Sequence, residues 1–178
     1  HNHMTLLDLD GDHNAMADDG DEYGLSTTGR RFIAGQLRHA RSTYALLAPT
    51  VNCLKRRRTH TFSPTNVSWG IEDRSALVRV KGGSAESRHA ENRAPTGLSN
   101  PYLVCAALLG AGILGIEDEL QLEPPAKAPA EEDESREKLP TTVGSEFVQA
   151  YAVMRRHELQ RFADHVTNWE GEEYLELY

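Results

Sequence analysis

The chain opens on a strict alternation. His1, His3 and Thr5 fall on one face of an extended segment, and Asn2, Met4 and Leu6 on the other. Ser26 or Thr27 is placed to cap a helix whose apolar stripe is Phe32, Ile33, Leu37, Ala40 and Tyr44, and Pro49 ends it. Asn66 to Ile71 and Ser75 to Val80 are predicted strands joined by a short turn, and Ser84 to Arg93 is a further extended segment. Asn100 and Pro101 suit the cap and first position of another helix. Tyr102 to Leu114 is apolar all round, which predicts burial. The composition then shifts. Residues 121–139 hold Pro124, Pro125, Pro129 and the run Glu131-Glu132-Asp133-Glu134, the mark of an exposed, flexible acidic loop. A last helix is predicted over about 145–169, with Phe147, Val148, Tyr151, Met154, Leu159, Phe162 and Val166 facing inward. There are no internal repeats.

Composition narrows the classes. With 178 residues the chain can build one domain with a real core. Its 27 acidic residues against 19 basic ones give a net charge of −8, which argues against a general nucleic-acid binder. Two widely spaced cysteines, Cys53 and Cys105, read as reduced thiols of a cytoplasmic protein. The start lacks a basic region followed by an apolar run, so no signal peptide is expected. The longest apolar stretch, Tyr102 to Ile116, holds three glycines and is short for a membrane span, so no membrane association is expected. The acidic stretch from Asp8 to Tyr23 superficially resembles a calcium loop. It lacks the closing glutamate, since Asp19 stands there, and Gly11 comes too early; a solvated hairpin loop is the better reading.

Candidate chemistry lies between Asn52 and Tyr102. Arg56, Arg74, Arg79, Arg88 and Arg93 recur between short apolar strands, with Glu91 among them. A guanidinium is a planar fork that holds carboxylates and phosphates in a fixed pose. Any one of these arginines is most simply a solvated strand-edge charge, but the set suits a substrate carrying several negative groups. The cluster Lys55-Arg56-Arg57-Arg58, taken alone, would also fit a localisation signal or a nucleic-acid patch. His1 and His3 on one strand face can both point at a metal or a phosphate, though the pattern alone is weak.

Four motifs then combine: Asn52-x-x-Lys55-Arg56, Trp69-Gly70-x-x-x-Arg74-Ser75, Glu91-x-Arg93 and Asn100-Pro101-Tyr102-Leu103. In this order and spacing they resemble the C-terminal half of the glutamine synthetase catalytic domain. The opening His1-x-His3-x-Thr5-Leu6 and the closing Trp169-Glu170-x-x-x-Tyr174 are similar to that family's strand and final helix. The likeness is strongest to the divergent branch that joins glutamate to organic amines.

The resemblance implies an α+β fold: an antiparallel curved sheet flanked by helices, covering part of a catalytic domain. It implies ATP-dependent ligation of ammonia or an amine to the side chain of glutamate through a glutamyl phosphate, with Mg2+ or Mn2+. His1 and Glu91 would bind one metal. His3, Thr5, Arg74 and Arg79 would lie at the ATP phosphates, with Arg74 also catalytic. Arg56 and Arg93 would hold glutamate. The N-terminal domain, and the glutamates of a second metal site, would lie outside these residues, so the chain alone is expected to be inactive. The full-length parent is expected to form a homo-oligomeric ring, commonly a dodecamer. The chain departs from the family twice. Phe62 stands where a glutamate usually lines the ammonium site, and no acidic residue occurs between Cys53 and Ile71. This favours a larger, more apolar amine or a loss of activity. His89 stands where an arginine is usual, with Arg88 a neighbouring substitute. The alternative is a non-catalytic relative used for assembly or binding; a nucleic-acid binder built on Lys55 to Arg58 is disfavoured by the acidity.

Overall fold

The computed structural model describes residues 1–50, 53, 55–57, 61 and 63–139. Asn52, Arg58, Phe62 and the segment predicted as the last helix lie outside the described residues. The described residues fall within one unit, His1–Thr141.

Helix α1 (Thr27–Arg38) begins where the sequence places it: the Ser26 hydroxyl accepts from the Gly29 N–H at 3.0 Å. It buries Phe32, Ile33 and Gln36. The predicted single helix is broken at His39, which leaves helical geometry (φ −98°, ψ 7°) before α2 (Ala40–Leu47) resumes. The break lets Tyr44 and Leu47 reach the same core as Phe32 and Ile33.

Among the described residues, four strands form one sheet in the order β1 (Asn2–Met4), β4 (His89–Asn92), β3 (Val78–Lys81), β2 (Trp69–Ile71). The α+β class stands, but the sheet is mixed rather than wholly antiparallel. β1 and β3 run antiparallel to β4, whereas β2 and β3 are parallel, with Trp69 beside Val78 and Ile71 beside Val80. The reason lies in residues 72–77, which loop back along the strand instead of turning as a hairpin. Glu72 adopts φ 53° and donates its N–H to the Val80 carbonyl, and the return path buries Ala76 and Leu77.

Alternation then sorts the sheet into two faces. Trp69, Val78, Val80 and Ala90 enter the core, with Met4 packed against it. Asn92 on the same side donates to Gln36 of α1 at 3.0 Å. Residues 3, 70, 79, 81, 89 and 91 occupy the opposite face.

Helix α3 (Pro101–Glu117) starts at Asn100, whose Oδ1 accepts from the Tyr102 and Leu103 N–H groups. It lies so close to α1 that a methyl group on Gly35 or Gly115 would strike backbone of the other helix, and one on Gly112 would strike the Phe32 ring. The helix is not buried all round as its composition predicts. Val104, Leu108 and Ala111 are buried, but Tyr102, Cys105, Leu109, Ile113 and Leu114 are exposed, Tyr102 by 84%.

Residues 121–139 hold one short 3-10 helix, Ala130–Glu132, and tie to β2 and its lead-in. Trp69 donates its indole N–H to the Glu123 carbonyl at 2.7 Å, and buried Asn66 donates to the Ala130 carbonyl at 2.6 Å. In the loop at 8–23, carboxylates serve as turn acceptors: Asp8 takes the Asp12 and His13 N–H groups, and Asp21 those of Tyr23 and Leu25.

Candidate functional site

The site is the sheet face turned away from the core, and register builds it. His3 on β1, Glu91 on β4 and Arg79 on β3 are direct cross-strand partners, with Gly70 of β2 next in line. Glu91 is the hub and is only 4% exposed. Its Oε1 lies 2.9 Å from His1 Nδ1, 2.8 Å from Arg93 Nη1 and 3.8 Å from His3 Nε2. Its Oε2 lies 3.3 Å from Arg79 Nη1. Arg79 also pairs through its other terminal nitrogen with Glu72. A carboxylate this deep needs such partners, because removing a charge from water costs several kcal/mol unless it is paired. Burial pushes the Arg93 guanidinium down from its ordinary value, and the Glu91 charge opposes that. Burial also lowers His3, with Glu91 acting against it.

Five of the predicted residues are thus brought together: His1, His3, Arg79, Glu91 and Arg93. Arg56 joins them through a cavity of about 400 Å³ that it lines with His1, Cys53, Pro95, Thr96, Gly97 and Leu98. Thr5 is exposed, one residue beyond β1; the register continued by one step sets it toward His89. Arg74 is not part of the hub. It is exposed in the loop after β2, near enough for its charge to act on Arg93. Arg88 is not a substitute at this face. Neighbouring residues in an extended segment point opposite ways, and the Arg88 guanidinium packs over Gly24 instead. His89 does face the site and packs against His3, with ring centroids 5.3 Å apart. Arg57 of the basic cluster is half-buried and lies 3.7 Å from the centre of the Tyr44 ring.

Two residues of the site carried no clear signal in the sequence. Lys81 is the register partner of His89, and could be found only by carrying the alternation on from Arg79 across the strand pairing. Cys53 sits in the wall of the Arg56 cavity, its Sγ 3.0 Å from the Thr50 hydroxyl and 3.3 Å from that of Thr96. Burial pushes this thiol up, but those hydrogen bonds and the Arg56 charge outweigh it and hold it below its ordinary value.

His1 Nδ1 and Glu91 Oε1 converge as one imidazole and one carboxylate donor, a pair that fits part of the sphere of a hard divalent cation. Among the described residues no group of three or more His, Cys, Asp or Glu gathers to complete one. Also among the described residues, no helix is long and apolar enough to cross a membrane.

The family profile "Glutamine synthetase, catalytic domain" matches residues 1–144. A gamma-glutamylethanolamide synthetase of Streptomyces coelicolor is 39% identical over 96% of this chain and 39% of its own length. A glutamine synthetase of Halobacterium salinarum is 32% identical over 100% of this chain and 44% of its own. Among solved structures, a GmaS–ADP complex superposes with a TM-score of 0.70 at 27% identity, covering 98% of this chain and 45% of that one. The chain therefore spans less than half the length of these relatives.

Proposed function

Because this chain belongs to the glutamine synthetase family, we propose that the protein carrying it ligates an amine to the side-chain carboxylate of glutamate, using ATP and passing through a glutamyl phosphate. The observation that carries the reading is the Glu91 hub. One buried carboxylate gathers two imidazoles and two guanidinia on a single sheet face, beside a cavity lined by a third arginine.

In this reading His1 and Glu91 hold one divalent cation, Mg2+ or Mn2+, which neutralises phosphate charge when bound. Arg79, His3 and Thr5 line the phosphate side, and exposed Arg74 reaches in from its loop to stabilise charge at the transferring phosphoryl. Arg56 and Arg93 orient the glutamate carboxylates. Arg93 is suited to this because Glu91 fixes one end of its fork, so little further ordering is needed on binding. In this reading the ligands of a second metal would lie outside these residues, and a homo-oligomer is the expected working state.

The amine is proposed to be organic. The segment from Cys53 to Ile71 has no acidic side chain to balance an ammonium ion, and a relative at 39% identity is a gamma-glutamylethanolamide synthetase. The experiment is phosphate release from ATP by the full-length protein, with Mg2+, glutamate and a panel from ammonia to amino alcohols and diamines. Release with organic amines but not ammonia is the expected result. Equal release with ammonia overturns the amine assignment. ATP binding without release under any amine points to a non-catalytic role.

A further inference from the structure

We propose that Lys81 is a phosphate-binding residue, the anchor of a row of donors on the site face in which His89 and Thr5 follow it. The proposal deepens the reading above and rests on it for the identity of the ligand as a nucleotide. The row itself rests on the geometry of the strands.

The sheet face carries two rows of side chains that differ in how their charge is met. In the row of Arg79, Glu91 and His3 the positive charges are met by carboxylates: Arg79 is held by both Glu91 and Glu72, and Arg93 by Glu91. One step along the strands the row is Lys81 and His89, with Thr5 beyond. It contains no carboxylate. Among the described residues Lys81 takes part in no ion pair, and its side chain is half-buried on a strand rather than free at a loop tip. Glu72 feels the Lys81 charge, but its carboxylate is engaged by Arg79 and by the Gly82 N–H. His3 closes the row diagonally, its ring 5.3 Å from that of His89, and it feels the Lys81 charge.

Donors on three adjacent strands thus span about 10 Å, two strand spacings. No carboxylate lies within the row to occupy the Lys81 ammonium. The donors sit immediately beside a row whose guanidinia are fixed. That is the arrangement a chain of linked phosphates requires: several donors along a line, with an ammonium that is free to rotate three N–H groups toward whichever oxygen arrives. An acyl carboxylate would engage only one end of it.

The test measures binding rather than turnover, in the full-length protein at fixed ionic strength. ATP, ADP, tripolyphosphate and adenosine are titrated into wild type, Lys81→Ala and Lys81→Arg. The expected result is a roughly fivefold to tenfold loss of affinity for ATP, ADP and tripolyphosphate in Lys81→Ala. Adenosine affinity should be unchanged, and Lys81→Arg should recover most of the loss. Wild-type affinity for all phosphates in Lys81→Ala overturns the proposal and leaves the ligase reading intact. An equal loss for adenosine also overturns it, since that marks general damage to the site. If wild type binds neither ATP nor tripolyphosphate, both readings fall.

Discussion

Glu91 concentrates most of the site's electrostatics in one side chain. Glu91→Gln keeps the shape but removes the charge that buried Arg93 and half-buried Arg79 face. Breaking a buried pair by removing one partner typically costs about 3 kcal/mol or more, so Glu91→Gln should lower the urea midpoint by a corresponding amount, measured with no nucleotide or metal present. A midpoint within error of wild type would show that the hub adds nothing to stability. At this scale the sequence was legible wherever a period of two sufficed. His1, His3 and Thr5, and likewise Glu91 and Arg93, share a face because alternate residues on a strand must. It was not legible where strand pairing mattered. Lys81 acquires its meaning from lying opposite His89, and no spacing within one segment reveals that. Arg88 looked equivalent to His89 because they are neighbours, yet adjacency in a strand is what separates them.

Helix α3 shows how one element can hold glycines of opposite consequence. At Gly115 a methyl group would meet the Arg31 carbonyl and Gly35 backbone; at Gly110 it would meet nothing within 4 Å. Gly110→Ala should therefore stabilise by about 0.5–1 kcal/mol through helix propensity, while Gly115→Ala should destabilise by about 2 kcal/mol or more through overpacking. Thermal unfolding of the two variants checks both signs. The helix itself was readable from the Asn100-Pro101 start and its unbroken apolar run. Its glycine seam and exposed side were not, because an all-apolar stretch gives no preferred direction. The parallel pairing of β2 and β3 was hidden for a related reason: a six-residue connection normally signals a hairpin, and only the burial of Ala76 and Leu77 draws it back along the strand.

At the scale of the molecule, the described residues place charge and apolar surface unevenly. The chain is acidic overall, yet Arg56, Arg74, Arg79, Lys81 and Arg93 belong to or border one face and cavity. Elsewhere α3 leaves Tyr102, Leu109, Ile113 and Leu114 open to solvent. Exposed apolar side chains gathered on one helix promote association. The 178-residue chain should accordingly self-associate at micromolar concentration, and Ile113→Lys with Leu109→Gln should reduce that without lowering the unfolding midpoint. Sedimentation velocity on both forms decides it; unchanged association in the double variant would place the sticky surface elsewhere.

The strand order carries one more consequence. β1 opens the chain and β4 lies far downstream, so pairing His3 with Glu91 closes a loop of roughly ninety residues. Contacts of such long range form late, after local helices and turns. A partly folded chain can therefore own every one of these side chains and still have no hub. Substrate would meet a working site only once β1 had paired with β4, which makes ligand capture a readout of completed folding.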